Sequence, residues 1–99
     1  MKFEGLVFIF GEMFFVYVLR SDRNGYFYVG MTNNVDRRLK QHNGGEVRST
    51  KAFTPWVLLF FETFKTRIEA RKREVYLKSG IGKEFIKSKV EYWSGSSAG

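Results

Sequence analysis

The chain has 99 residues, no cysteine and one histidine, and it carries a formal charge of +7 with a pI near 9.9. That length suits one domain with one modest core; the missing cysteines exclude a disulfide framework or thiolate metal site, and the lone histidine excludes a multi-histidine zinc centre. The basic excess favours a polyanionic partner, nucleic acid rather than membrane, because the apolar run Leu6–Phe10 is too short to span a bilayer. No clear cleavage site follows that run, so a signal peptide fits poorly, and the absence of cysteine fits the expected cytoplasmic location.

Residues 1–12 are apolar, bracketed by Gly5 and Gly11, and read as an N-terminal extension, with Met13 an alternative start. Phe14–Leu19, rich in aromatic and β-branched residues, predicts a strand. The turn chemistry of Ser21-Asp22-Arg23-Asn24-Gly25 leads into a second strand, Tyr26–Met31, making a hairpin. An even loop places Tyr17 and Tyr28 on one face of it, and that register is expected. Thr32 or Asn33 is expected to cap a helix in which Val35, Leu39 and His42 form one buried stripe, with Arg38 one turn from His42. Asn43-Gly44-Gly45 stops it.

Glu46–Thr54 is a polar loop containing Arg48 and Lys51. The apolar run Trp56–Phe61 fits a strand covered on both faces, at the sheet's centre or its helix-packed side. Thr66 and Glu69 have capping-box spacing for a helix that runs to about Lys78, where Ser79-Gly80 ends it. A last short helix, Lys83 to about Val90, turns Phe85 and Ile86 inward, and the low-complexity stretch Ser94–Gly99 reads as a flexible tail. The order β-β-α-β-α-α gives an α+β fold with a three-stranded sheet flanked by helices.

One residue breaks the apolar row of the second helix. Ala70, Leu77 and Ile81 face inward by spacing, and the position between them is Glu74. An inward carboxylate is costly unless paired or metal-bound. Two readings stay open: a salt bridge to Arg71 or Lys78 at helical spacing, or a ligand for a hard cation such as Mg2+. Glu62, at the end of the third strand, is a rival acid. Arg48, Lys51, Lys83 and Lys87 are candidate phosphate contacts.

In order, the chain presents Phe15-Val16-Tyr17, Tyr28-Val29-Gly30, Thr32, Arg38, His42, Asn43, Pro55-Trp56, Ala70, Arg73-Glu74 and Leu77-Lys78-Ser79-Gly80. This set resembles the GIY-YIG endonuclease family, in particular its small single-domain bacterial members, over roughly Met13 to Val90, with Phe15 in place of the usual glycine. The resemblance implies a nuclease domain over 13–93 with a central antiparallel sheet. It implies DNA phosphodiester hydrolysis with one divalent ion, Mg2+ or Mn2+, and no small-molecule cofactor. Position by position, Tyr17 and Tyr28 would lie near the scissile phosphate, and Arg38 would bind it. His42 would stand at the site edge, Glu74 would hold the metal, and Gly30, Thr32 and Asn43 would support the site. No major-groove reading helix is evident, so backbone or shape recognition is expected. The alternatives are a module that binds nucleic acid without cutting it, or one whose basic face meets an acidic protein.

Overall fold

Alternation of β-branched and aromatic residues from Phe14 onward gives one strand two apolar faces, and the fold is built on both. The computed structural model describes residues 13–98, with side chains through residue 92, so the expected N-terminal extension lies outside the described residues. Strands β1 (Phe14–Ser21), β2 (Phe27–Thr32) and β3 (Trp56–Phe64) form an antiparallel sheet in the order β2-β1-β3. Helices α1 (Val35–Asn43), α2 (Arg67–Lys78) and α3 (Gly80–Ala98) flank it, with a 3-10 turn at Lys51–Phe53. The α+β architecture and element order agree with the sequence reading.

Strand β1 is therefore central. On one of its faces Val16 and Val18 pack with Val29 against Ala70 and Leu77 of α2 and Ile86 of α3. On the other, Tyr17 and Leu19 pack with Trp56, flanked by Tyr28, Val35, Leu39, Phe53 and Leu58. Each fully buried Val or Leu contributes about 1.5–3 kcal/mol, so both faces stabilise the sheet. The second face is the α1 side, and it holds the candidate site.

Four local expectations are corrected. The apolar run at Trp56 forms an edge strand rather than the sheet's centre, and it leaves Val57 and Phe61 exposed at 42% and 48%. The α1 cap is Asn34, whose side chain accepts from the Arg37 N–H at 3.0 Å. Thr32 instead stabilises the preceding turn, its hydroxyl accepting the Asn34 N–H at 3.1 Å. Ile81 does not continue the α2 row: the chain changes direction at Ser79, which leaves Ile81 70% exposed. The last helix begins at Gly80 rather than Lys83 and runs past Val90 to Ala98; once nucleated, a helix adds one hydrogen bond for each residue it orders. Close approach of α3 to α2 depends on Gly82, where a Cβ would stand 2.5 Å from Leu77 Cα. No helix among the described residues is long and apolar enough to cross a membrane.

Candidate active site

The hairpin register opposes Tyr17 to Gly30 and Leu19 to Tyr28, so both tyrosines share the α1 face as expected. Their ring centroids are 6.2 Å apart. Gly30 is required by this arrangement: a Cβ there would stand 2.6 Å from Tyr17 Cζ and closer still to the hydroxyl. The Tyr17 ring lies against the glycine and is 1% exposed, whereas Tyr28 is half-buried. One tyrosine is enclosed and the other reaches the surface.

Helix α1 lays Arg38 and His42 against them. Tyr17 Oη and His42 Nε2 share a hydrogen bond of 2.8 Å. Arg38 Nε donates to the same Tyr17 oxygen at a long 3.4 Å, and its Nη1 donates to Gln41 Oε1 at 2.9 Å. The Tyr28 ring centroid lies 4.8 Å from that of His42, and its hydroxyl is close enough to Arg38 to act on its charge. These tyrosine contacts, the Tyr17 hydrogen bond first, raise the Arg38 pKa above its ordinary value and keep the guanidinium charged. Further N–H groups of its fork remain for a phosphate.

Burial controls the protonation of the other two groups. It pushes the Tyr17 hydroxyl up to about 12, with Tyr28 and Glu74 adding to the shift and Arg38 opposing it. It pushes His42 down to about 4, helped by the Arg38 cation. At neutral pH the pair is a protonated phenol beside a neutral imidazole.

Three supporting features were not legible in the sequence. His42 Nδ1 bonds the hydroxyl of Thr50 at 2.8 Å, and Thr50 is 1% exposed. The Trp56 indole N–H donates to the Thr50 carbonyl at 2.9 Å. Gln41 holds the Arg38 fork. Thr50 lies in a polar loop without periodicity, so no spacing signal marks it. Asn43 was singled out, and its amide pairs twice with the Trp56 backbone: it accepts from Trp56 N at 2.7 Å and donates to Trp56 O at 3.0 Å. That clamp ties the end of α1 to the start of β3.

The two acids separate. Glu74 is buried in the inward row with Ala70 and Leu77, and its carboxylate acts electrostatically on Tyr17. It also takes part in the expected helical ion pairs, Arg71 Nη1 to Oε1 at 3.0 Å and Lys78 Nζ to Oε2 at 3.1 Å. One such bond at each oxygen leaves a carboxylate further lone pairs for a cation. Glu62 is instead held by a single guanidinium, the Arg73 fork, through Nε to Oε1 at 2.7 Å and Nη2 to Oε2 at 3.1 Å. Arg73 is in turn stacked on Tyr76 and Phe85. Among the described residues no group of three or more His, Asp or Glu forms a metal cage, so a cation at Glu74 must take its other ligands from water and substrate. A magnesium ion fits that donor set, since it commonly keeps several waters and uses one or two carboxylates plus phosphate oxygens.

The remaining predicted residues divide in the same way. Lys83 lines two adjoining depressions beside the Tyr28 end of β2. One, of about 240 Å³, is bounded by Tyr28, Leu77, Lys78 and Ile86, and the other, of about 320 Å³, by Tyr26 and Lys87. Together they form a basic groove that starts at the candidate site. Arg48 and Lys51 are exposed on the loop that carries Thr50 and do not line this groove.

The profile of the GIY-YIG catalytic domain matches residues 13–85. The chain belongs to the GIY-YIG family. It is 43% identical over 68 residues to a UPF0213 protein of Nitratidesulfovibrio vulgaris, covering 68% of this chain and 61% of that protein. It is 45% identical over 65 residues to a UPF0213 protein of Bacillus licheniformis, covering 65% and 66% respectively. The chain thus spans less than two thirds of the length of these two relatives. Among solved structures, that of a UPF0213 protein from Bacillus halodurans matches 77% of this chain and 83% of its own, at 33% identity and a TM-score of 0.49. GIY-YIG is a nuclease family, and in this member the candidate residues Tyr17, Tyr28, Arg38, His42 and Glu74 come from β1, β2, α1 and α2.

Proposed function

We propose that this GIY-YIG domain is an endonuclease that hydrolyses DNA phosphodiester bonds with one divalent ion, Mg2+ or Mn2+, guided by backbone and shape rather than by base sequence. The observation that carries this reading is the meeting of Tyr17, Tyr28 and His42 at the Arg38 guanidinium, with the buried Glu74 carboxylate within electrostatic reach of Tyr17. Arg38 binds the phosphate oxygens and offsets the charge that develops on them. Tyr28, the half-buried tyrosine, touches the phosphate or the attacking water in this reading. Tyr17, enclosed and protonated, orients the site through its bonds to His42 and Arg38. Glu74 would hold the metal ion, which when bound supplies Lewis-acid polarisation of the phosphate and a more acidic water. The Arg71 and Lys78 charges beside Glu74 repel a lone cation, so the phosphate strand contributes to the site's affinity for it. Lys78, Lys83 and Lys87 carry the strand away from the cleavage point.

The test is cleavage of nicked, flapped and branched DNA with Mg2+ or Mn2+ by the wild type, Arg38→Ala and Glu74→Gln. Activity in the wild type that is equal in both variants overturns the assigned site. A second reading, nucleic-acid binding without cleavage, is favoured by the pairing of both Glu74 oxygens with cations. Binding that weakens steeply with salt, with no metal-dependent cleavage on any of these substrates, supports it.

A further inference from the structure

The hydrogen bonds around His42 set a tautomer, and the tautomer sets which way the Tyr17 hydroxyl points. His42 is the middle of a buried chain that runs from Tyr17 Oη to Nε2 at 2.8 Å and from Nδ1 to Thr50 Oγ1 at 2.8 Å. Each hydroxyl has one proton to give, and a neutral imidazole has one N–H and one acceptor nitrogen. Two assignments are possible. In the first, Tyr17 donates to Nε2, Nδ1–H donates to Thr50, and Thr50 donates to the Val47 carbonyl at 3.4 Å. Every proton then has an acceptor, the Val47 carbonyl being shared with the Thr50 and Lys51 N–H groups at 3.1 and 3.0 Å. In the second, Nε2–H donates to the Tyr17 oxygen, which already receives the Arg38 N–H. The Tyr17 proton then loses its 2.8 Å acceptor, and its other recorded neighbour, Arg38, has no acceptor to offer. The first assignment is the one that leaves no donor without an acceptor.

We propose that Thr50 is a positioning residue for this site: its hydroxyl oxygen accepts the His42 Nδ1–H, holding the tautomer in which Nε2 receives the Tyr17 O–H. The Tyr17 proton is thereby directed inward, and its oxygen lone pairs face Arg38. Thr50 is itself fixed from two sides. The Trp56 indole holds its carbonyl at 2.9 Å, and its N–H donates to Val47 O at 3.1 Å. A ring nitrogen's protonation is set by the hydrogen bond that the other nitrogen makes; at metal-bound histidines such outer partners change activity about 10–100-fold, and a loss of that order is expected here. The catalytic consequence rests on the nuclease reading above, but the tautomer does not.

The experiment is nitrogen-15 NMR of the His42 ring in the whole protein, for wild type, Thr50→Val and Thr50→Ser, alongside cleavage kinetics. The wild type is expected as the Nδ1–H tautomer. Thr50→Ser should keep it, and the near-isosteric Thr50→Val should shift the ring toward Nε2–H. A wild-type ring in the Nε2–H form, or Nδ1–H unchanged in Thr50→Val, overturns the proposal. In cleavage, Thr50→Val should lose about 10–100-fold in kcat with KM little changed, and Thr50→Ser should recover most of it. Loss of kcat that Thr50→Ser does not recover counts against a positioning role. A wild type that shows the expected tautomer and cuts no DNA overturns the nuclease reading and leaves the tautomer assignment standing.

Discussion

Tyr17 and His42 stand 25 positions apart in the chain and share a 2.8 Å hydrogen bond in a space closed to solvent. The bond joins the central strand to the first helix at the point where Arg38 also arrives. Tyr17→Phe keeps the ring and removes the hydroxyl, leaving His42 Nε2 buried without a partner. A buried acceptor left unpaired costs about 1–3 kcal/mol, so the variant should fold with a lower urea midpoint and an unchanged m-value. On the proposed mechanism its kcat falls with it. A midpoint equal to the wild type would show that the bond contributes nothing to stability.

The neutral state of His42 gives stability a pH dependence with a definite sign. The folded pKa is about 4 against about 6.5 unfolded. Between these values the unfolded chain binds the proton and the folded chain does not. Stability is therefore full above pH ~6.5 and is lost as pH falls toward ~4, by roughly 3 kcal/mol from this group. Urea titrations from pH 4 to 8 should show this rise, and His42→Gln should remove this group's share of it. Cleavage, if limited by His42, should show no step near the ordinary histidine pKa.

Gly30 is the position where the smallest change should have a large effect. A Cβ there meets the Tyr17 ring, whose own place is held by His42 and the sheet. Gly30→Ala should destabilise by about 1–3 kcal/mol, the usual cost of overpacking. It should also displace the Tyr17 hydroxyl, so cleavage is expected to fall even under conditions where the variant is fully folded. Denaturation and kinetics on one preparation separate the two effects.

The two acids should behave oppositely. Glu74→Gln keeps the volume but removes the charge, and is expected to lower metal-dependent cleavage on the order of 100-fold or more. Glu62→Gln loosens the Arg73 fork, a partly exposed pair, and should cost at most about 1 kcal/mol with cleavage unchanged. Chelation of the divalent ion should stop cleavage while leaving DNA binding measurable at low salt. Equal losses of activity in both variants would move the metal assignment away from Glu74.

The basic groove predicts a salt dependence. If Lys83 and Lys87 each contact a phosphate, the double substitution to alanine reduces the slope of log affinity against log salt by about 2. Arg48→Ala with Lys51→Ala, outside the groove lining, should change it less. Affinity measured on one DNA at several salt concentrations checks both.

By itself the sequence determined the element order, the hairpin register and the family. These rest on short-range rules. Alternation along Phe14–Leu19, turn residues at Ser21–Gly25, and the 3.6-residue stripe of Val35, Leu39 and His42 are all written within a few positions of one another. The inward placement of Glu74 was legible for the same reason, as a carboxylate in an apolar row. What the spacing left open was its partner, and the structure shows Arg71 and Lys78 on its two oxygens. Only the tertiary structure decided that Glu62 is held by Arg73, that β1 rather than β3 is central, and that the helix direction changes before Ile81. Only it revealed Thr50 behind His42. Those facts depend on contacts between elements far apart in the chain, where the steric fit of Tyr17 over Gly30 and the need to satisfy every buried donor select one arrangement. Periodicity carries no record of that selection.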